Sequence, residues 1–348
     1  MTNSKFFRWQ LKEWFPLFGL VLLPLLRIVP QCFQMPFTNT ITAETLTLIV
    51  FLFSFLEASI LPLMIFTYRW SKKSADTFLQ LPCNEGEIKK TRTLILLLIV
   101  LSHYLLLTII TDIAIIVSSF SEKSAVYQSI NVGYLFLSNF IFLVMTFAQF
   151  SVTYFFCYRG NTLIQSIVYL VVGSLLLSSI ISGTLGYIAI FSGNHIVPAS
   201  IGTTSSYTYF SPAVLYYSIT VMIYKIDGVN WGNPQLISLF YFILTIIVGL
   251  AASIYTYLSK EPSGDTAGLQ EPRSTFDKIL IHATYFFSAG VFLSQSTEKV
   301  IHVISLAFVT ALYYTLLVFV HHTIHFSRRT YITFASLVLF SMVIAFTR

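Results

Sequence analysis

Charge is scarce in this chain. Asp, Glu, Lys and Arg make up only 10% of its 348 residues while 56% are hydrophobic, a balance that no ordinary soluble domain carries. Cysteine is scarce too. Cys32 is expected near one membrane face and Cys83 and Cys157 near the other, so a disulfide framework is excluded. Several catalytic signatures are missing: no GxSxG elbow, no HExxH, and no paired carboxylates in a polar loop. A G-x-x-x-x-G-K-[ST] phosphate loop is also missing, and no polar segment is long enough for a nucleotide-binding domain. These gaps argue against an enzyme and against any cofactor bound by the chain itself. ATP and Mg, if used, belong to a partner.

What the chain has is long apolar runs. Residues 14–35, 46–69, 94–118, 132–156, 162–191, 236–258, 279–294, 300–321 and 331–346 are each read as a span, against the ~20 residues that a helix needs to cross a bilayer. Barrel strands would alternate apolar and polar residues, and these runs are apolar all round. A mean hydropathy of +0.78 agrees. The expected fold is therefore all-α, a polytopic membrane helix bundle of about eight or nine spans. Arg27 breaks the first run and no small-residue cleavage site follows, so that run reads as a retained helix. Placing the N-terminus in the cytoplasm puts fifteen of the twenty basic residues on the inner side. The net charge of +6 thus reflects topology, and nucleic acid is not an expected partner.

Four segments interrupt the pattern within what reads as a single transmembrane domain, 1–348. Residues 1–13 suit an amphipathic lead-in helix, with Phe7, Leu11 and Trp14 on one face and Lys5, Arg8 and Lys12 on the other. The inner loop 71–93 holds a short helix ended by Pro82, on which Ala75, Phe78 and Leu79 form an apolar face that needs a docking partner or this protein's own helices. On the outer side, 193–234 contains a run too short to span, 213–224, read as re-entrant or interfacial. Its Tyr207, Tyr209, Phe210, Tyr216 and Tyr217 form an aromatic lid, a candidate outer gate. The inner loop 259–278 is rich in Pro, Gly and Ser, against a long helix.

Ionisable groups inside spans each cost roughly 2.5–3.5 kcal/mol at the bilayer centre on insertion scales, so they mark candidate sites. Arg27 and Glu57 fall at similar depth on antiparallel spans and are expected to pair, with Asp112 as the alternative partner. Such a group either lines a translocation path or is a neutralised packing contact. His321 and His325 of HHTIH share a helical face, but no second cluster accompanies them, and a metal site is not expected. His103, His282 and His302 are isolated and expected to be satisfied by neighbouring helices.

The run Arg69-Trp70-Ser71-Lys72-Lys73-Ser74-Ala75-Asp76-Thr77-Phe78-Leu79-Gln80-Leu81-Pro82, followed by Glu87-Ile88-Lys89-Lys90-Thr91-Arg92, resembles the permeases of type-two ABC exporters, most closely the Gram-positive peptide and antibiotic efflux or resistance branch. Cys83-Asn84-Glu85-Gly86 departs from that pattern. A second, partial match is Ser259-Lys260-Glu261-Pro262-Ser263-Gly264-Asp265-Thr266-Ala267-Gly268. The resemblance implies a coupling helix with Ala75, Asp76, Phe78, Leu79 and Pro82 at the docking surface of cytoplasmic ABC ATPase subunits. It also implies a second permease copy or a related permease, surrounding lipids, a bacterial cytoplasmic membrane location, and amphipathic or antimicrobial peptides or hydrophobic drugs as cargo. The competing expectations are an integral-membrane lipid-modifying enzyme and an ion-coupled secondary transporter.

Overall fold

The computed structural model describes residues 4–37, 43–67, 70, 85–123, 132–160, 162–192, 233–258, 275–295, 299–321 and 326–347. Among them there is no strand, and the helices are α1 (Ser4–Trp14), α2 (Leu22–Gln34), α3 (Ala43–Ile65), α4 (Glu85–Ser118), α5 (Val132–Arg159), α6 (Leu163–Ser192), α7 (Asn233–Leu258), α8 (Thr275–Gln295), α9 (Lys299–His321) and α10 (Arg328–Thr347). Five helical stretches are long and apolar enough to cross a membrane: Phe6–Phe37, Leu46–Ile65, Gly86–Ser118, Leu135–Arg159 and Arg328–Phe346. Shorter apolar stretches lie in α6, α7, α8 and α9. Apolar side chains such as Leu26, Phe33, Ile113, Leu250 and Phe308 stand exposed, as a surface solvated by hydrocarbon requires.

The chain gathers into two compact units. The first holds α1 to α5 and residues 244–258 of α7; the second holds α6, residues 233–243 of α7, and α8 to α10.

In the first unit, α1 buries Phe6, Gln10 and Trp14 and leaves Arg8, Lys12 and Glu13 exposed. Phe7 and Leu11 are only half-buried, so the inward edge lies one residue earlier than the expected face at that end. Pro16 lacks an amide and its ring crowds the preceding turn, and the chain runs through a 3-10 segment, Phe15–Val21, before resuming as α2. The far end of α2, the start of α3, the end of α4 and the start of α5 meet in one apolar cluster of Met35, Ala43, Leu46, Ile115 and Leu135. Ser121 Oγ closes that end by donating to the Pro36 carbonyl. Successive elements therefore alternate in direction. Deeper in, Phe51 of α3 packs on Phe142 of α5, with ring centroids 4.8 Å apart.

The second unit is held by aromatic stacks and one close helix crossing. Gly183 of α6 and Gly290 of α8 let the two backbones touch: a Cβ on Gly290 would lie 2.8 Å from the Gly183 carbonyl oxygen and 2.6 Å from the Tyr187 ring. Tyr187 stacks on Phe286 at 4.7 Å and its hydroxyl donates to the Phe286 carbonyl at 2.8 Å. Tyr313 of α9 stacks on Tyr285 of α8 at 4.3 Å and on Phe334 of α10 at 5.1 Å. Thr162 caps α6 by accepting from the Gln165 amide at 3.2 Å, and Ser327 does the same for α10 through Thr330 at 3.3 Å. Tyr187→Phe keeps the stack and loses one hydrogen bond. It should lower stability by no more than about 1 kcal/mol in a thermal melt of the detergent-solubilised protein.

Candidate functional site: a cation clamp and a buried polar line

The start of α4 explains two of the basic residues that orientation alone would assign to the surface. Lys89 and Arg92 are 8% and 3% exposed. The last carbonyls of any α-helix lack an intrahelical partner and carry the negative end of its dipole. Arg92 answers this for α3: its Nη1 donates to Ile65 O at 3.1 Å, to Met64 O at 3.4 Å and to Thr67 Oγ1 at 3.3 Å. Its guanidinium also lies over the Trp14 ring, 5.2 Å from the centroid. Lys89 Nζ donates to Thr256 O near the end of α7 at 2.8 Å and sits 4.8 Å above the ring of Tyr158, close to the end of α5. One turn of α4 thus ties together the same-side ends of α1, α3, α5 and α7.

Arg92 also joins the two roots of the polar loop, because α3 ends at Ile65 and α4 begins at Glu85. Ala75, Asp76, Phe78, Leu79 and Pro82 lie outside the described residues, as do Tyr207, Phe210, Tyr216 and Tyr217. His322 and His325 lie outside them as well, and among the described residues no three His, Cys, Asp or Glu side chains gather to hold a metal ion.

A second set of polar groups runs through the first unit. Glu57 of α3 is 6% exposed and pairs with His103 of α4, 2% exposed, with Oε1 2.7 Å from Nδ1. The expected Arg27–Glu57 pair does not form. The inward stripe of this region is Val21, Pro24, Ile28 and Met35, and Arg27, one residue before Ile28, is turned away from it and stands exposed beside Leu26. Asp112, the alternative partner, is buried and accepts from Asn139 Nδ2 of α5 at 2.8 Å. It lies nine residues beyond His103, about 13 Å further along α4, so Glu57 and Asp112 occupy separate sites. Tyr104 donates to the Asn139 backbone carbonyl at 2.6 Å, and Gln149 Nε2 donates to Ser59 Oγ at 3.1 Å.

The chain matches no family model, no curated protein and no solved structure. Geometry and sequence pattern therefore carry the functional reading.

His282 is satisfied by a neighbouring helix, its Nδ1 bonding the Tyr313 hydroxyl. A groove of about 480 Å³ between α9 and α10, lined by Leu306, Ala307, Ala311, Phe334, Met342 and Phe346 among others, is almost wholly apolar, with Thr310 and Tyr314 its hydroxyl-bearing lining residues. The sequence reading missed the importance of Lys89, Arg92 and His103. A usable signal was there for His103. It follows Leu96, Ile99 and Val100 at helical spacing, on the stripe that α4 buries.

Proposed function

We propose that this chain is the transmembrane permease subunit of an ABC exporter, with eight or nine spans and its N-terminus in the cytoplasm of a bacterial cell. The observation that carries the reading is the clamp at the start of α4. A polar loop whose two roots are locked together by Arg92, and to the end of α7 by Lys89, can pass an applied force to several helices at once. A loop tied to nothing would dissipate it. In this reading the residues around Phe78 and Leu79 are the handle, a separate cytoplasmic ATPase hydrolyses Mg-ATP, and a second copy or a related permease completes the pathway. The cargo class, amphipathic or antimicrobial peptides or hydrophobic drugs, follows from the resemblance in the loop. Much of the aromatic content of the second unit is spent in helix–helix stacks, and the candidate outer gate on this reading stays with Tyr207, Phe210, Tyr216 and Tyr217 of segment 193–234.

Purification of the full chain in mild detergent from its own cells tests this. A soluble ATPase should accompany it in near-stoichiometric amount. The double change Phe78→Ala with Leu79→Ala should reduce the recovered ATPase at least about tenfold, the loss expected when two apolar anchors leave an interface. If both side chains face the ATPase, as this reading requires, the same variant should melt within about 1 kcal/mol of the parent. No ATPase with the parent, or full retention by the folded double variant, defeats the reading.

A further inference from the structure

We propose that Glu57 and His103 form an intramembrane proton-binding site that holds one shared, exchangeable proton between α3 and α4. The inference stands on hydrogen-bond accounting and does not depend on what drives transport.

His103 Nε2 lies 3.2 Å from the Phe18 carbonyl oxygen. A carbonyl only accepts, so Nε2 must carry a hydrogen. A carbonyl oxygen has two lone pairs, so Phe18 O can accept from the imidazole beside any backbone bond it holds. With Nε2 fixed as a donor, the 2.7 Å contact between Nδ1 and Glu57 Oε1 needs one further hydrogen. That hydrogen sits either on the carboxyl, donated to a neutral ring, or on the ring, donated to a carboxylate. Both descriptions contain one shared proton and zero net charge, the state a membrane interior tolerates best.

Loss of the proton converts the site from neutral to one negative charge: carboxylic acid plus neutral imidazole gives carboxylate plus neutral imidazole, with the proton passing to water. With Nε2 still a donor, two lone pairs then face each other at the 2.7 Å contact. Proton release therefore costs the site either that contact or, if the ring moves its hydrogen to Nδ1, the bond to Phe18 O. Glu57 Oε2 is buried and has no hydrogen-bond partner among the described residues, so the deprotonated carboxylate would gain nothing by staying in place.

No neighbouring charge compensates for the loss. Of the described ionisable groups on the packed elements, Arg92 is spent on the end of α3, Lys89 on Thr256 and Asp112 on Asn139. Tyr104 donates to the Asn139 carbonyl. Arg27 of α2 and Arg8, Lys12 and Glu13 of α1 are exposed. The 3-10 segment contributes no ionisable side chain; of the ionisable residues of α5, Tyr134 stands in its first turn and Tyr154, Cys157, Tyr158 and Arg159 lie towards its far end.

The test is nitrogen magnetic resonance of the full chain in lipid nanodiscs, with the seven histidines labelled and the pH raised from about 5 to about 10. His103 is assigned as the signal missing from His103→Asn, or, should that variant not fold, as the signal displaced in Glu57→Gln. The expected result is a ring protonated at Nε2 throughout, an Nδ1 signal intermediate between bare and protonated, and a single step to bare Nδ1 as the pH rises. In Glu57→Gln the amide can donate to Nδ1 but cannot ionise, so the step should vanish and Nδ1 should remain an acceptor across the range. A ring protonated at Nδ1 with Nε2 bare, no step in the parent protein, or an unchanged step in Glu57→Gln would each overturn the proposal.

Discussion

Replacing Gly183 with leucine should abolish the folded second unit. A Cβ at that position would overlap the backbone carbonyl oxygen of Phe287, and backbone cannot swing aside as a flexible side-chain tip can. The crossing of α6 and α8 would have to open, and Gly290, whose own Cβ position meets the Gly183 carbonyl and the Tyr187 ring, would lose its contact with it. The Tyr187–Phe286 stack and its hydrogen bond sit beside this crossing and would be lost as well. Alanine should cost about 1–3 kcal/mol, the usual range for overpacking, and leucine more. In fluorescence-detected size exclusion, Gly183→Ala should give a reduced monodisperse peak and Gly183→Leu should give aggregate. Gly86 supplies the control. It lies in α4 with nothing within 4 Å of where a Cβ would stand, so Gly86→Ala should be neutral or stabilising by up to about 1 kcal/mol. A Gly183→Leu protein that melts like the parent would mean that the helices do not touch there.

Removing the guanidinium of Arg92 should have the next largest effect. Arg92→Leu keeps bulk against Trp14 but leaves the Ile65 and Met64 carbonyls without their cation. Hydrogen bonds to charged groups contribute about 1.5–3 kcal/mol each, and a buried acceptor left unsatisfied costs a similar amount. A loss of about 2–4 kcal/mol is expected by thermal melt, partly offset because the buried charge no longer has to be desolvated. Arg92→Lys should recover only part of it, since an ammonium lacks the planar face that the guanidinium lays over the Trp14 ring. On the proposed reading, the readout that separates a coupling role from a merely structural one is cargo-dependent stimulation of ATP hydrolysis. Arg92→Leu protein that is held folded at low temperature should still bring down the ATPase, because Phe78 and Leu79 are intact, but should lose cargo-dependent stimulation of hydrolysis. Normal stimulation in that variant would remove the clamp from the mechanism.

The helical class and five of the membrane-crossing lengths were legible from residue order because both depend on local runs: an apolar stretch in lipid must satisfy its backbone within itself. Pro16 contributes locally to the 3-10 winding after α1, yet Pro30 and Pro62 are carried inside α2 and α3, so a proline alone did not mark the break. Partners were a different matter. Arg27 and Glu57 match in depth, yet depth says nothing about rotation around a helix axis, and a difference of one residue turns a side chain by about 100°. Glu57 therefore meets His103 while Arg27 faces outward. Lys89 and Arg92 look like an ordinary basic flank until the ends of α3 and α7 are brought beside them, and only then do they become buried caps. The sequence by itself determined what each segment must be. Only the tertiary structure decided which segment each charge serves, because pairing between helices depends on rotation and register contributed by residues far apart in the chain.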